Sequence, residues 1–138
     1  VAFAATSGPV SAQVYWFEDY QKAVELIDED RVSEAEPLML ELQQKLPVPR
    51  VGVRIPGNQY IDYLPYLQLA RIHAARGDWE LVKHNLDVSE AFGAVKAQRV
   101  SMKQFSELRR DLEYQEVRTR IAPMQDPPFA VDTASTKK

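Results

Sequence analysis

His73 and His84 are the only histidines in the 138-residue chain, and there is no cysteine. Imidazole is the usual metal ligand and proton carrier near neutral pH, so these two residues are the first test for such chemistry. His73 falls on a packing position of a helical pattern, and no carboxylate stands at ligand spacing from it. A packing role is expected. Glu25, Asp28, Glu29 and Asp30 offer oxygen ligands for a cation. They lack the alternating acids and closing Glu of a calcium loop, so they read as a solvated helix end. No HExxH, GxSxG or glycine-rich phosphate loop occurs. Gly52 and Gly57 read as turn glycines. Without cysteine, disulfides, thiol catalysis and thiolate zinc sites are excluded. The expectation is a protein that is not an enzyme and holds no metal or cofactor.

Two further groups of residues suit recognition. Lys96, Arg99, Lys103, Arg109, Arg110, Arg118 and Arg120 make the last third basic, but Glu107, Asp111, Glu113 and Glu116 interleave with them. That pattern predicts surface pairs at helical spacing rather than a nucleic-acid face. The net charge of −3 points the same way. The aromatic set Tyr15, Trp16, Phe17, Tyr20, Tyr60, Tyr63 and Tyr66 is richer. Tyr60, Tyr63 and Tyr66 cannot all face one way, so an exposed aromatic beside Arg54 would make a protein-binding patch.

The elements that carry these residues read as helices. Val14 to Glu29 and Ser33 to Leu46 have apolar residues at helical spacing, with Pro37 expected in the first turn of the second. Pro47 and Pro49 end it. Val48 to Asp62 reads as an extended, ordered connector: Val51, Val53 and Ile55 alternate, yet a single strand has no evident partner. Tyr60 to Arg76 and Asp78 to Phe92 are the third and fourth helices, with Gly77 as a left-handed stop, Asp78 as a cap and Gly93 as the next stop. Ser101 to Arg120 is the fifth, with Phe105, Leu108 and Leu112 on its inner face.

One constant offset carries the first helical hairpin onto the second. Gln21 falls on Gln68, Ala23 on Ala70, Leu26 on His73, Val32 on Trp79, Ala35 on Val82 and Met39 on Leu86. On these residues the chain resembles the tetratricopeptide-repeat family, whose unit runs about 34 residues. Tyr66, Leu69, Ala70 and His73, then Gly77-Asp78-Trp79-Glu80 and Leu86, take the places of its repeat signature. Lys22, where a Leu is usual, makes the first unit degenerate. The stretch Arg50-Val-Gly-Val-Arg-Ile-Pro-Gly57, feeding an aromatic-rich helix, also resembles a subgroup of bacterial repeat modules of unassigned chemistry. The resemblance implies an all-α fold: two hairpins of a short α-solenoid, with the fifth helix as a cap. It also implies a concave groove lined by Tyr20, Gln21, Val24, Gln68, Arg71 and Ala75. Arg54 and Tyr63 join them as candidate protein-binding residues through the aromatic patch. The family's Lys and Asn clamp for a terminal carboxylate is missing here. Arg71 has two readings, an anchor exposed in the groove or a strut paired with a carboxylate across the helices.

Hydrophobic residues make up 45% and charged residues 27%, as in an ordinary globular protein, and the length fits one domain. Residues 1–13 form an apolar leader, ending Val10-Ser11-Ala12, that reads either as the end of a secretory signal or as a clipped fragment. The signal reading implies a periplasmic or secreted protein, the other a cytoplasmic one. Residues 14–120 are the repeat-like domain. Residues 121–138 are Pro-rich and polar and read as a flexible tail or linker. The function expected is binding of a protein or peptide through the groove, with no nucleic-acid partner and no membrane insertion. Self-assembly into a homo-oligomeric scaffold is the alternative.

Overall fold

Tyr20, Ala23, Leu26 and Ile27 recur at helical spacing, and they are the buried face of the first helix, Trp16–Asp28 (α1). A computed structural model describes residues 16–93 and 99–137, with side chains described as far as Ala122. The leader 1–13 lies outside the described residues. Asp30 takes a left-handed conformation (φ 64°) and turns the chain into Val32–Lys45 (α2). That helix buries Ala35, Met39 and Leu42 against α1. Pro37 lies inside α2, past the first turn where it was expected. It is exposed, so the helix bond lost at its missing N–H leaves a carbonyl that water can reach.

The connector is not a lone extended segment. Arg50–Ile55 (β1) pairs antiparallel with Gln59–Tyr63 (β2) around Pro56-Gly57-Asn58. Gly57 and Asn58 both have positive φ, which lets the turn close. The partner strand is the stretch expected to open the third helix. That helix instead starts at Pro65 and ends at Arg76 (α3). Proline disfavours helical geometry in the residue before it and suits the first helical position, so Pro65 sets the start.

Gly77 stops α3 at φ 76°, and the Asp78 side chain accepts from the Leu81 N–H to cap Trp79–Phe92 (α4). The final helix is Arg99–Lys137 (α5). Its backbone does not stop at Arg120, where the sequence predicts a Pro-rich tail, but continues to Lys137. Among the described residues the protein is mostly helical, with one two-stranded sheet. No described helix is long and apolar enough to cross a membrane.

α3 organises the interior. Leu69 and Ile72 join the α1–α2 core, together with Tyr63. Leu67 and Ala70 belong to a second core with Val82 and Leu86 of α4 and Leu108 and Leu112 of α5. A helix that is buried on most sides belongs at the centre, and α3 touches α1, α2, α4 and α5. The inner face expected of the fifth helix is thus the face that packs, with Phe105 partly buried beside it.

Candidate functional site

The first helices of the two hairpins, α1 and α3, pack side by side, and α5 packs against α3. Between them and the β-hairpin lies an open groove of about 330 Å3. α1 contributes Tyr20, Val24 and Asp28, and α3 contributes Gln68. β2 contributes Tyr60, Ile61 and Asp62, while α5 contributes Val100, Ser101 and Gln104. Tyr60 and Val100 are the open apolar groups, 60% and 65% exposed.

The floor is a polar network. The Tyr20 hydroxyl accepts from the Leu64 backbone N–H at 3.2 Å and from Gln68 Nε2 at 3.4 Å. Burial pushes its pKa upward. Arg71 donates to Gln68 Oε1 at 2.8 Å and to Asp28 Oδ1 at 2.6 Å. The chain Asp28–Arg71–Gln68–Tyr20 therefore ties α1 to α3 beneath the groove. Beside it, the Tyr63 ring is 1% exposed, and its hydroxyl lies 3.0 Å from the Leu42 carbonyl and 2.7 Å from that of Leu46. Tyr63 thus locks the end of β2 to the last turn of α2. Burial raises its pKa strongly.

On the wall, strand geometry arranges the chemistry. Tyr60 and Asp62 share one face of β2 because side chains alternate along a strand. Arg54 sits directly across from Tyr60 in the ladder. The Gly52 N–H lies in an irregularity of β1 and donates to Asp62 Oδ1 at 2.8 Å. Asp62 Oδ2 is shielded from solvent and has no hydrogen-bond partner among the described residues.

The expected binding residues divide accordingly. Tyr20, Val24 and Gln68 do line the groove, but Tyr20 and Gln68 are each only 5% exposed and serve as its floor. Tyr63 is interior and offers no contact surface. Arg71 is mostly covered and paired with Asp28, which is the strut rather than the exposed anchor. Gln21, Arg54 and Ala75 are exposed but lie outside the groove lining. Tyr60, open to solvent and across the ladder from Arg54, is the exposed member of the aromatic set from which a patch beside Arg54 was expected. Missed in the sequence were Asp62 and Val100. The alternation Tyr60-Ile61-Asp62 was the available signal for Asp62. Val100 precedes the expected helix start, and no local pattern marks it.

His73 is buried in α3 and His84 is exposed on α4. Of the acidic run, Asp28 pairs with Arg71, and Glu29 with Arg31 at 3.4 Å. Arg109 reaches across to α4 rather than along its own helix. It meets Asp87 at 2.7 Å and Glu90 at 3.2 Å while lying over the Phe105 ring. The Arg109 hydrogen bond lowers the Asp87 pKa. No family model matches the chain, and no curated protein or solved structure shows a significant similarity to it.

Proposed function

We propose that this protein is a non-enzymatic interaction module of tetratricopeptide-like architecture that holds a peptide or protein segment in the groove between α1, α3, α5 and the β-hairpin. The packing order supports the architecture. Each of these five helices contacts the next across a turn or connector, save that the link from α4 to α5 falls outside the described residues, and the alternate helices α1, α3 and α5 also contact one another in sequence. Stacked hairpins of this kind present their first helices on one side, where ligands are held.

The single observation that carries the function is the pair of open apolar side chains, Tyr60 and Val100, facing a groove whose floor is rigidly bonded. Exposed aromatic groups set on a preorganised surface are common interface anchors. Covering a valine side chain alone is worth about 1.5–3 kcal/mol before ordering costs.

Selection of a displayed random-peptide library on the full chain tests the reading. Peptides retained by the wild type should bind Tyr60→Ala about 1–2 kcal/mol more weakly. The variant should unfold at an unchanged temperature, because Tyr60 is a surface residue. Peptides held equally by both forms would place binding elsewhere.

One observation favours the alternative of a self-assembling scaffold. Tyr114, Val117 and Ile121 form an exposed apolar stripe along α5 at helical spacing. Sedimentation at micromolar concentration separates the two readings. A dimer that Val117→Glu dissociates supports self-assembly, and a monomer removes it.

A further inference from the structure

The charged side chains lining the groove are Asp28 and Asp62; among the described residues no lysine or arginine lines it, and Arg54, across the ladder from Tyr60, stands outside the lining. Arg71 compensates Asp28 from behind, with one nitrogen on that carboxylate and another on Gln68. Asp62 has no ion-pair partner among the described residues, and its only hydrogen bond there is the one Gly52 donates to Oδ1. A carboxylate with an unmet oxygen is thus built into the wall. Such an oxygen gains from any donor that reaches it. Next to it on the same strand face stands the open ring of Tyr60, and Val24, Ile61 and Val100 supply apolar surface around it.

We infer that the groove selects a peptide segment carrying a lysine or arginine next to an apolar side chain. The inference rests on the groove reading proposed for the function. The cation's alkyl stem lies along the Tyr60 ring, where the ring face attracts positive charge. Its head completes the hydrogen bonding of Asp62, a step that needs a local side-chain shift because Oδ2 is shielded from solvent in the unliganded chain. The neighbouring apolar residue covers Val24 and Val100. A segment bearing carboxylates meets the uncompensated charge of Asp62 and is disfavoured.

Three short fluorescein-labelled peptides, of repeating Leu-Ser-Lys, Leu-Ser-Gln and Leu-Ser-Glu, test this by fluorescence anisotropy on the full chain. The lysine peptide should bind tightest, weaken with added salt, and lose about tenfold in affinity on the double change Asp28→Asn with Asp62→Asn. Each asparagine keeps an oxygen for Arg71 or the Gly52 N–H, so circular dichroism melts should show the variant folded. Equal binding of the lysine and glutamine peptides overturns the charge selection. So does a lysine preference that survives in the folded double variant. If the glutamine peptide binds as tightly as the lysine peptide and both are lost with Tyr60→Ala, the groove reading stands while the charge selection falls. If none of the three binds in a Tyr60-dependent way, both fall.

Discussion

Tyr63→Phe separates the hydroxyl of Tyr63 from its ring. The ring stays in edge contact with Trp16 at 5.0 Å and Tyr20 at 5.2 Å between centroids, so no cavity forms. What is lost is the hydroxyl's contact with the Leu42 and Leu46 carbonyls. Leu42 keeps a partner, because its carbonyl also accepts the Leu46 N–H at 2.7 Å. The Leu46 carbonyl keeps none among the described hydrogen bonds. One lost bond plus one unmet acceptor should cost about 1–2 kcal/mol. For a folded unit near 100 residues that lowers the melting temperature by roughly 5–15 °C.

The same variant has a pH signature. Burial holds the pKa of Tyr20 and Tyr63 above the ordinary value of 10.0 in the folded chain. Above pH 10 the unfolded chain gives up these protons and the folded chain keeps them. Their stabilisation is therefore complete below pH 10 and is lost as pH rises toward the folded values. Each such tyrosine adds to the loss of stability as pH rises through that window. Tyr63→Phe should make the alkaline slope shallower, because of the two only Tyr20 then contributes. A thermal melt at pH 7 and urea unfolding at intervals above pH 10, both followed by circular dichroism, measure the two effects. A variant with wild-type melting temperature and an unchanged alkaline slope would refute the reasoning.

Arg71→Ala should destabilise the fold by about 1 kcal/mol, because it breaks a strut between α1 and α3 whose arginine is mostly covered. Arg71→Lys should restore only part of this, since one ammonium lacks the planar fork that spans Asp28 and Gln68; an unchanged melting temperature in Arg71→Ala would return Arg71 to the groove as a contact residue. Deleting the chain after Val100 uncovers Leu67, Ala70, Val82 and Leu86, which Leu108 and Leu112 otherwise close. That protein should lose its cooperative thermal transition, and a sharp melt would show that the two hairpins fold unaided.

The parts of the fold that were legible in the sequence are those set by local chemistry. The Gly77-Asp78 turn needs only a left-handed stop and a cap, and both act within a few residues. The inner face of α5 follows from its spacing. The β-hairpin was misread because Tyr60, Ile61, Tyr63 and Leu64 fit a helical period as well as a strand's, and only Pro65 marks the boundary. The groove was half legible for a related reason. The repeat resemblance put Tyr20, Gln68 and Arg71 on one side, but it says nothing of what comes to cover that side. Leu64 and Asp28 reach Tyr20 and Arg71 from 44 and 43 residues away, and no local pattern encodes such partners. Asp62 and Val100 were missed because their places depend on how the β-hairpin and α5 approach α3.

The two-stranded sheet has a further consequence. A sheet with only two strands leaves both outer rows of backbone donors and acceptors open among the described residues, a template on which another chain can add a strand. The same hairpin that walls the groove thus carries, among the described residues, a sheet edge on which copies could pair. β1 carries the features that resist it. Arg50 and Arg54 place like charges along the strand, so two copies meeting edge to edge repel. The irregularity at Gly52 spoils the straight run of donors by turning its N–H toward Asp62. Asp62 thus holds the irregular strand in place with one oxygen, while its other oxygen is shielded and without a partner among the described residues.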